Sequence, residues 1–301
     1  MESSFPDLLM DRQGTDGRVG RITFNRPETM NSFSQSLLQQ FNEVLHDWEA
    51  DPSIRVIVVR GAGRGFSSGY DMSSQASVSS NGVPVRNYQK ADAQGRRLGM
   101  NLRTFIQQTT DIQMYFWNMA KVTIAELHGF CLAGGCELAM MADLVVASED
   151  CQIGHPGVRG MGYPRNGAIW PMVMGMRKVK ELTFSGDTVS GVDAERMGMI
   201  NYAWPAAELE QRTIEFADRF ANMTADQLAM LKVATNRWYE NMGMYSSVRS
   251  STETSVAAQF TAEAYLWQEK VRDSGFKKAL EWRDGRYRQS AGKKRDDSGK
   301  K

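Results

Sequence analysis

The sequence has little of what several classes of protein require. Three cysteines among 301 residues are too few, and odd in number, for a disulfide framework. We expect each of them, Cys131, Cys136 and Cys151, to be a buried thiol in a reducing cytoplasm. The net charge is only +1, so no basic field favours nucleic acid as a partner. No apolar run approaches the roughly 20 residues that a membrane-spanning helix needs, and the amino end lacks the basic and apolar segments of a secretory signal.

Histidine is equally scarce. The three histidines, His46, His128 and His155, show none of the spacings that hold a metal ion. We therefore expect no metal site, and we place only His155 near a cleft.

What the sequence does contain is an alternation of strand and helix patterns. Strands are predicted at 18–24, 56–59, 122–127 and 144–147, and helices at 34–50, at 98–119 and around Glu137. This order predicts an α/β architecture with parallel, crossover-connected strands. From about residue 206 the pattern is helical. The serine-rich stretch 73–81 is predicted to be a mobile loop and the charged tail 292–301 to be disordered.

Two glycine-rich turns follow buried strands, GAGRGFSSG at 61–69 and HGFCLAGG at 128–135. Glycine lets backbone N–H groups point into a cleft without a Cβ in the way. The amides of Tyr70 and Gly134 are therefore candidates for a pair of donors that stabilises a developing oxyanion. Each turn taken alone also fits a simple packing role between helix and strand.

Glu137 lies three residues into the helix after the second turn, in an otherwise apolar run. A buried carboxylate is costly unless it is paired or used. Burial raises its pKa and the nearby helix N-terminus lowers it, so we expect a general base that titrates near neutrality. A carboxylate satisfied by a neighbouring arginine or amide is the alternative.

A weaker pattern is G-x-S-x-G at 65–69, which matches the turn of a serine nucleophile. That turn requires a helix directly after the serine, whereas a serine-rich loop follows here. A triad of Ser67, Asp143 and His155 is therefore a minor alternative.

Four segments in a consistent order resemble the crotonase superfamily, also called enoyl-CoA hydratase/isomerase. They are FNRPETMNSFS (24–34), GAGRGFSSGYDM (61–72), HGFCLAGGCELAMMADLVVAS (128–148) and SGDTVSGVDAERMGMIN (185–201). The resemblance implies a crotonase-like ββα spiral over residues 1–205, a helical region at 206–289 and a tail at 290–301. It also implies an acyl-CoA thioester as substrate, no cofactor other than the CoA of that substrate, and assembly into trimers or dimers of trimers.

The resemblance assigns roles to individual residues. The thioester oxygen would lie between the amides of Tyr70 and Gly134, and Glu137 would be one of the two glutamates that hydratases use to activate water. The residues implied along the CoA moiety are Arg26, Ser68, Gly69, Asp71 and Met72.

The second glutamate of the family pattern is missing, because Gly157 follows Pro156 at its position. Glycine there is expected to leave a gap, unless it serves a turn with positive φ. The local candidates to replace the carboxylate are His155, Arg159, Tyr163 and Arg165, and we count His155, Gly157 and Tyr163 among the substrate-binding residues.

Three functions remain open at this point. The first is an enoyl-CoA hydratase or lyase that acts through a thioester enolate. The second is a carbon–carbon bond hydrolase for an alicyclic or ketone substrate, with a wide pocket shaped by the 73–97 loop and the aromatic-rich carboxy-terminal region. The third is a CoA-binding scaffold with little catalysis.

Overall fold

A computed structural model of the chain describes residues 5–72, 99–160, 162–167 and 169–290. The loop predicted at 73–97 and the tail predicted at 290–301 fall outside these ranges, apart from Ser290. Among the helices of the described ranges, none combines the length and hydropathy that a bilayer crossing requires.

The described chain forms nine strands. They are β1 (Leu8–Gln13), β2 (Val19–Phe24), β3 (Val56–Gly61), β4 (Val122–Leu127), β5 (Phe130–Leu132), β6 (Leu144–Ser148), β7 (Gln152–Gly154), β8 (Thr188–Val189) and β9 (Tyr202–Trp204). Six of them build one sheet in the order β1-β2-β3-β4-β6-β9, and the other three build a second sheet in the order β5-β7-β8. The first sheet is parallel from β2 to β9, as the sequence predicted, and only its edge strand β1 is antiparallel.

Eleven α-helices are found in the same ranges. They are α1 (Gln35–Ala50), α2 (Gly99–Asn118), α3 (Gly134–Ala139), α4 (Ile169–Met174), α5 (Met176–Ser185), α6 (Gly191–Arg196), α7 (Leu209–Ala221), α8 (Ala225–Asn241), α9 (Met244–Ala258), α10 (Ala262–Ser274) and α11 (Phe276–Ser290). The first helix begins where the sequence predicted, because the Ser34 side chain accepts a hydrogen bond from the Leu37 amide at 3.1 Å.

Apolar side chains cover both faces of the large sheet. The main core contains α1 and α3, whereas α7 packs on the opposite face through Leu209 and Phe216. Strand β4 is buried along its whole length, which explains why its sequence lacks the alternation of a half-exposed strand. The predicted α/β fold with a helical carboxy-terminal region is confirmed.

Candidate active site

The two glycine-rich turns meet in space. The Leu132 amide donates to the Ser67 carbonyl at 2.9 Å, which joins the second turn to the first. Gly69 has a φ of 102°, and a Cβ at this residue would lie 2.9 Å from the Gly134 nitrogen. Both the backbone conformation and the close contact therefore require glycine at position 69.

The predicted oxyanion donors lie at this contact. The Phe33 amide donates to the Gly69 carbonyl at 2.7 Å and the Asp71 amide donates to the Phe33 carbonyl at 3.0 Å, so the Tyr70 N–H between them points away from Phe33. Gly134 is the first residue of α3, where a backbone N–H has no partner within the helix. Neither amide therefore has a backbone acceptor among the described residues.

Glu137 projects from α3 into a largely buried network of donors. Its Oε1 lies 3.0 Å from His155 Nε2 and accepts from the Arg165 amide at 3.3 Å. Its Oε2 accepts from the Tyr70 hydroxyl at 2.7 Å and from Gln113 Nε2 at 3.4 Å. The Arg165 guanidinium stands 4.0 Å from the same carboxylate.

This network gives Glu137 a different acidity from the one expected. Burial by itself raises the pKa of Glu137, but the charge of Arg165 and the hydrogen bonds from His155 and Tyr70 outweigh it and lower the pKa to about 2. The expectation of a base that titrates near neutrality was wrong, because it counted only burial and the helix N-terminus. Glu137 is an ionised carboxylate at neutral pH and a weak base.

The expected gap at Gly157 does not exist. A Cβ built at this residue would lie 2.9 Å from Cε1 and 3.3 Å from Nδ1 of His155, so the imidazole fills the space. The alternative of a turn with positive φ is also wrong, since Gly157 is absent from the left-handed glycines of the described chain. The residue is glycine because the imidazole ring needs the room.

The side chain of Tyr70 belongs to the site as well, although the sequence pointed only to its amide. Its ring lies against Gly134, where a Cβ would approach ring carbons to 2.5 Å. Arg165 lies over the same ring, with its guanidinium carbon 4.0 Å from the centroid. Burial raises the pKa of the Tyr70 hydroxyl well above its ordinary value, so the phenol stays protonated and donates to Glu137.

The residues expected along the CoA moiety differ from one another in their contacts and exposure. Arg26 and Asp71 are brought together, since both terminal guanidinium nitrogens of Arg26 lie 3.2 Å from Asp71 Oδ2. Ser68 is half-buried and its amide donates to the Met30 carbonyl at 3.0 Å, while Met72 is exposed.

Among the described residues, Tyr163 contacts Ser255 and Gly167 rather than Glu137. Its carbonyl accepts from the Ser255 hydroxyl at 2.9 Å, and its ring lies beside Gly167. Arg159 pairs with Asp187 at 2.7 Å, which leaves His155 and Arg165 as the candidates that contact Glu137.

Three residues of the network were not predicted. Gln113 on α2 contacts the Glu137 carboxylate, Thr109 on α2 accepts from Arg165, and Asn166 in the segment after β7 donates through Nδ2 to the Glu137 carbonyl. The signal for the first two was available, because they are polar residues within the buried stripe that Leu102 and Ile106 begin on α2. For Asn166 the sequence offers no comparable signal.

The alternative of a serine triad is excluded by the geometry. Ser67 Oγ donates to the Asn31 carbonyl at 2.8 Å, and Asp143 accepts from Thr123 and pairs with Lys232 at 2.8 Å. Among the described residues, neither Ser67 nor Asp143 forms a hydrogen bond with His155.

Comparison with known proteins shows the family of the chain. The profile of the enoyl-CoA hydratase/isomerase family matches residues 14–272, which is most of the chain. The chain belongs to this family. The crotonase-like fold predicted from the four segments is thereby confirmed.

Individual members of the family are similar to this chain in sequence and in structure. The mitochondrial enoyl-CoA hydratase of Pongo abelii is 26% identical over 240 residues, which cover 79% of this chain and 76% of that protein. An enoyl-CoA hydratase structure from Mycobacterium smegmatis superposes with a TM-score of 0.82 at 31% identity, covering 94% of this chain and 96% of the other. An enoyl-CoA hydratase/isomerase structure from Xanthobacter autotrophicus Py2 gives a TM-score of 0.81 at 29% identity, covering 94% and 99%.

Proposed function

We propose that this member of the family hydrates enoyl-CoA thioesters and that the His155 imidazole carries the proton. The observation that supports the proposal is the pair formed by Glu137 and His155. Nε2 of the imidazole lies 3.0 Å from Glu137, whereas Nδ1 is buried, has no partner among the described residues and faces Gly157. A buried polar atom without a partner calls for one from a water or a substrate.

The ionisation of Glu137 decides which nitrogen of His155 carries the hydrogen. The lowered pKa keeps Glu137 ionised at neutral pH, and an ionised carboxylate only accepts hydrogen bonds. Nε2 must therefore carry the hydrogen, so Nδ1 of the neutral ring has a free lone pair. A base whose second nitrogen is fixed by a carboxylate is a recurring arrangement in sites that activate a nucleophile.

The hydration then proceeds in two balanced steps. Water loses a proton to His155 Nδ1 while its oxygen bonds to the β-carbon, and the electrons of the carbon–carbon double bond move to the thioester oxygen. The amides of Tyr70 and Gly134 hold the resulting enolate oxygen. The imidazolium returns the proton to the α-carbon, which gives a 3-hydroxyacyl thioester. Glu137 stabilises the imidazolium, and no cofactor beyond the CoA of the substrate takes part.

The test is turnover of a panel of enoyl-CoA esters, read by mass spectrometry, with wild type and His155→Gln. We expect turnover to fall by roughly 10²–10⁴-fold in the variant, since it loses its proton carrier. Binding of the ester should survive, because the oxyanion donors are backbone groups. His46→Gln is the matched control, because His46 is exposed on α1. Near wild-type turnover by His155→Gln would refute the assignment.

A second candidate is favoured by the same pair. Among the described residues, no second carboxylate accompanies Glu137 in the hydrogen-bond network, and a carboxylate-held imidazole also suits a carbon–carbon bond hydrolase. There the activated water would attack a ketone carbon of the substrate. The products distinguish the two reactions, since hydration adds water to one molecule whereas hydrolysis yields a cleaved chain with a new carboxylic acid.

We also propose that the chain assembles into trimers or dimers of trimers. Helix α8 and its carboxy-terminal end expose a group of large apolar side chains, namely Met230, Leu231, Val233, Trp238 and Met242. Trp238 alone is 65% exposed, and several large apolar side chains exposed on one helix favour an interface. The three buried free cysteines are consistent with a reducing compartment such as the cytoplasm.

A further inference from the structure

Arg165 is held in the site by its backbone and by neighbours on both sides. Its amide donates to Glu137 and the next residue, Asn166, donates to the Glu137 carbonyl, so the segment is fixed to α3. Its guanidinium lies over the Tyr70 ring, and Nη1 donates to the Thr109 hydroxyl. The positive charge is therefore placed beside the reacting groups, one aromatic ring away from Gly134.

The pairing of this charge is incomplete. Its Nε stands 4.0 Å from Glu137 Oε2, beyond the distance of a hydrogen bond, and no described acceptor bonds to Nε or Nη2. A guanidinium has five donors arranged in a fork that matches a carboxylate. Arg165 thus has donors to offer although it is among the most buried arginines of the described chain.

Three other largely buried arginines of this protein have more carboxylate partners. Each of them contacts two different carboxylates: Arg21 contacts Asp11 and Glu210, Arg26 contacts Asp7 and Asp71, and Arg159 contacts Asp187 and Asp284. Arg165 has an 11% exposed side chain, less than any of these three, and contacts one carboxylate. A carboxylate on a ligand would supply the second partner that the other three arginines have.

We infer that the acyl group of the substrate ends in a carboxylate that binds Arg165. The inference rests on the proposed function, because it takes the thioester end of the substrate to lie at the amides of Tyr70 and Gly134. An acyl chain that starts there and runs past Glu137 brings its far end to the guanidinium. The substrate class is a monothioester of a dicarboxylic acid, and Arg165 is its specificity-determining residue.

Binding of two saturated CoA esters tests this without requiring turnover. Glutaryl-CoA and pentanoyl-CoA have acyl chains of equal length and differ at the end, where one has a carboxylate and the other a methyl group. A hydrogen-bonded charge pair is worth about 10- to 100-fold in affinity. We therefore expect isothermal titration calorimetry to give a dissociation constant lower by that factor for glutaryl-CoA, at fixed ionic strength.

Variants locate the effect on Arg165. In Arg165→Gln the two dissociation constants should become equal within about threefold, and in Arg165→Lys an intermediate preference should remain because the charge persists without the fork. Arg196→Gln is the matched control, since Arg196 is an exposed arginine on α6 and should leave the wild-type ratio unchanged.

The possible results separate this inference from the proposed function. Equal affinity of the wild-type protein for the two esters overturns the carboxylate assignment while the proposed function stands. A preference for glutaryl-CoA that persists in Arg165→Gln overturns the role of Arg165. If neither ester binds, the proposed function itself fails and this inference fails with it.

Discussion

Replacing Glu137 with glutamine should destabilise the protein in a way that depends on pH. The pKa of Glu137 falls from its ordinary 4.5 to about 2, which corresponds to roughly 3 kcal/mol of folding free energy at neutral pH. Because the pKa of the folded state is depressed, this stability is present above the ordinary pKa and is lost as pH falls towards 2. Glu137→Gln should therefore have a lower free energy of unfolding than wild type at pH 7, and the difference should shrink between pH 4.5 and pH 2.

Glu126→Gln is a matched control for this prediction. Glu126 is also fully buried, but burial raises its pKa and the Arg60 guanidinium at 3.1 Å only partly offsets that. The sign is therefore reversed, and wild type should lose stability relative to Glu126→Gln as pH rises from the ordinary pKa of a glutamate through the raised pKa of folded Glu126. Urea denaturation of the three proteins at pH 7, 5 and 3, at one protein concentration, measures both trends. A wild-type advantage over Glu137→Gln that is equal at pH 7 and pH 3 would refute the reasoning.

Three further predictions concern the site and the assembly. Tyr70→Phe removes one of the donors to Glu137 but keeps the ring against Gly134. We therefore expect kcat to fall by less than about tenfold. A larger loss would mean that the hydroxyl itself transfers a proton. Gly157→Ala should displace the imidazole of His155, so we expect a clear fall in kcat with little change in the melting temperature. Unchanged steady-state kinetics would show that the ring is not held there. Light scattering should give a mass of at least three times that of the 33.8 kDa chain. Trp238→Asp should lower the measured mass, because Trp238 is exposed on α8. A wild-type monomer at micromolar concentration would contradict the proposed interface.

Much of the fold could be predicted because its signals are local. The buried run of β3 and the apolar stripe of α1 each fix one element within a residue or two of its observed bounds. Strand β1 was missed because only Leu8 of its six residues is buried, so it has neither a buried run nor an alternation. Its place in the sheet comes from pairing with β2, which sequence patterns do not record.

The exposure of aromatic residues was harder to predict in the carboxy-terminal helices. Trp238, Tyr245 and Tyr265 are exposed, whereas Trp267 is buried and Tyr239 is half-buried against the core. Helical spacing shows which residues share a face, but which face is covered depends on how α8 to α11 pack on one another.

The electrostatics of the site could not be predicted for a related reason. The sequence showed that Glu137 would be buried near a helix N-terminus, but the groups that set its pKa come from other elements: Tyr70 from the first glycine turn, and His155 and Arg165 from the segment after β7. A pKa depends on distances of a few ångströms between such groups, and no local pattern contains those distances.

Position 157 shows how one absent side chain changes the chemistry of the whole site. Glycine there admits the His155 ring beside Glu137, and the carboxylate then serves to fix an imidazole and balance the charge of Arg165. With a pKa of about 2, Glu137 is a weak base at neutral pH, and this supports the proposal that the imidazole carries the proton. A side chain at 157 would meet the His155 ring at its Cβ, so the ring would have to move to admit a glutamate there. The position of the imidazole beside Glu137 therefore depends on the identity of residue 157.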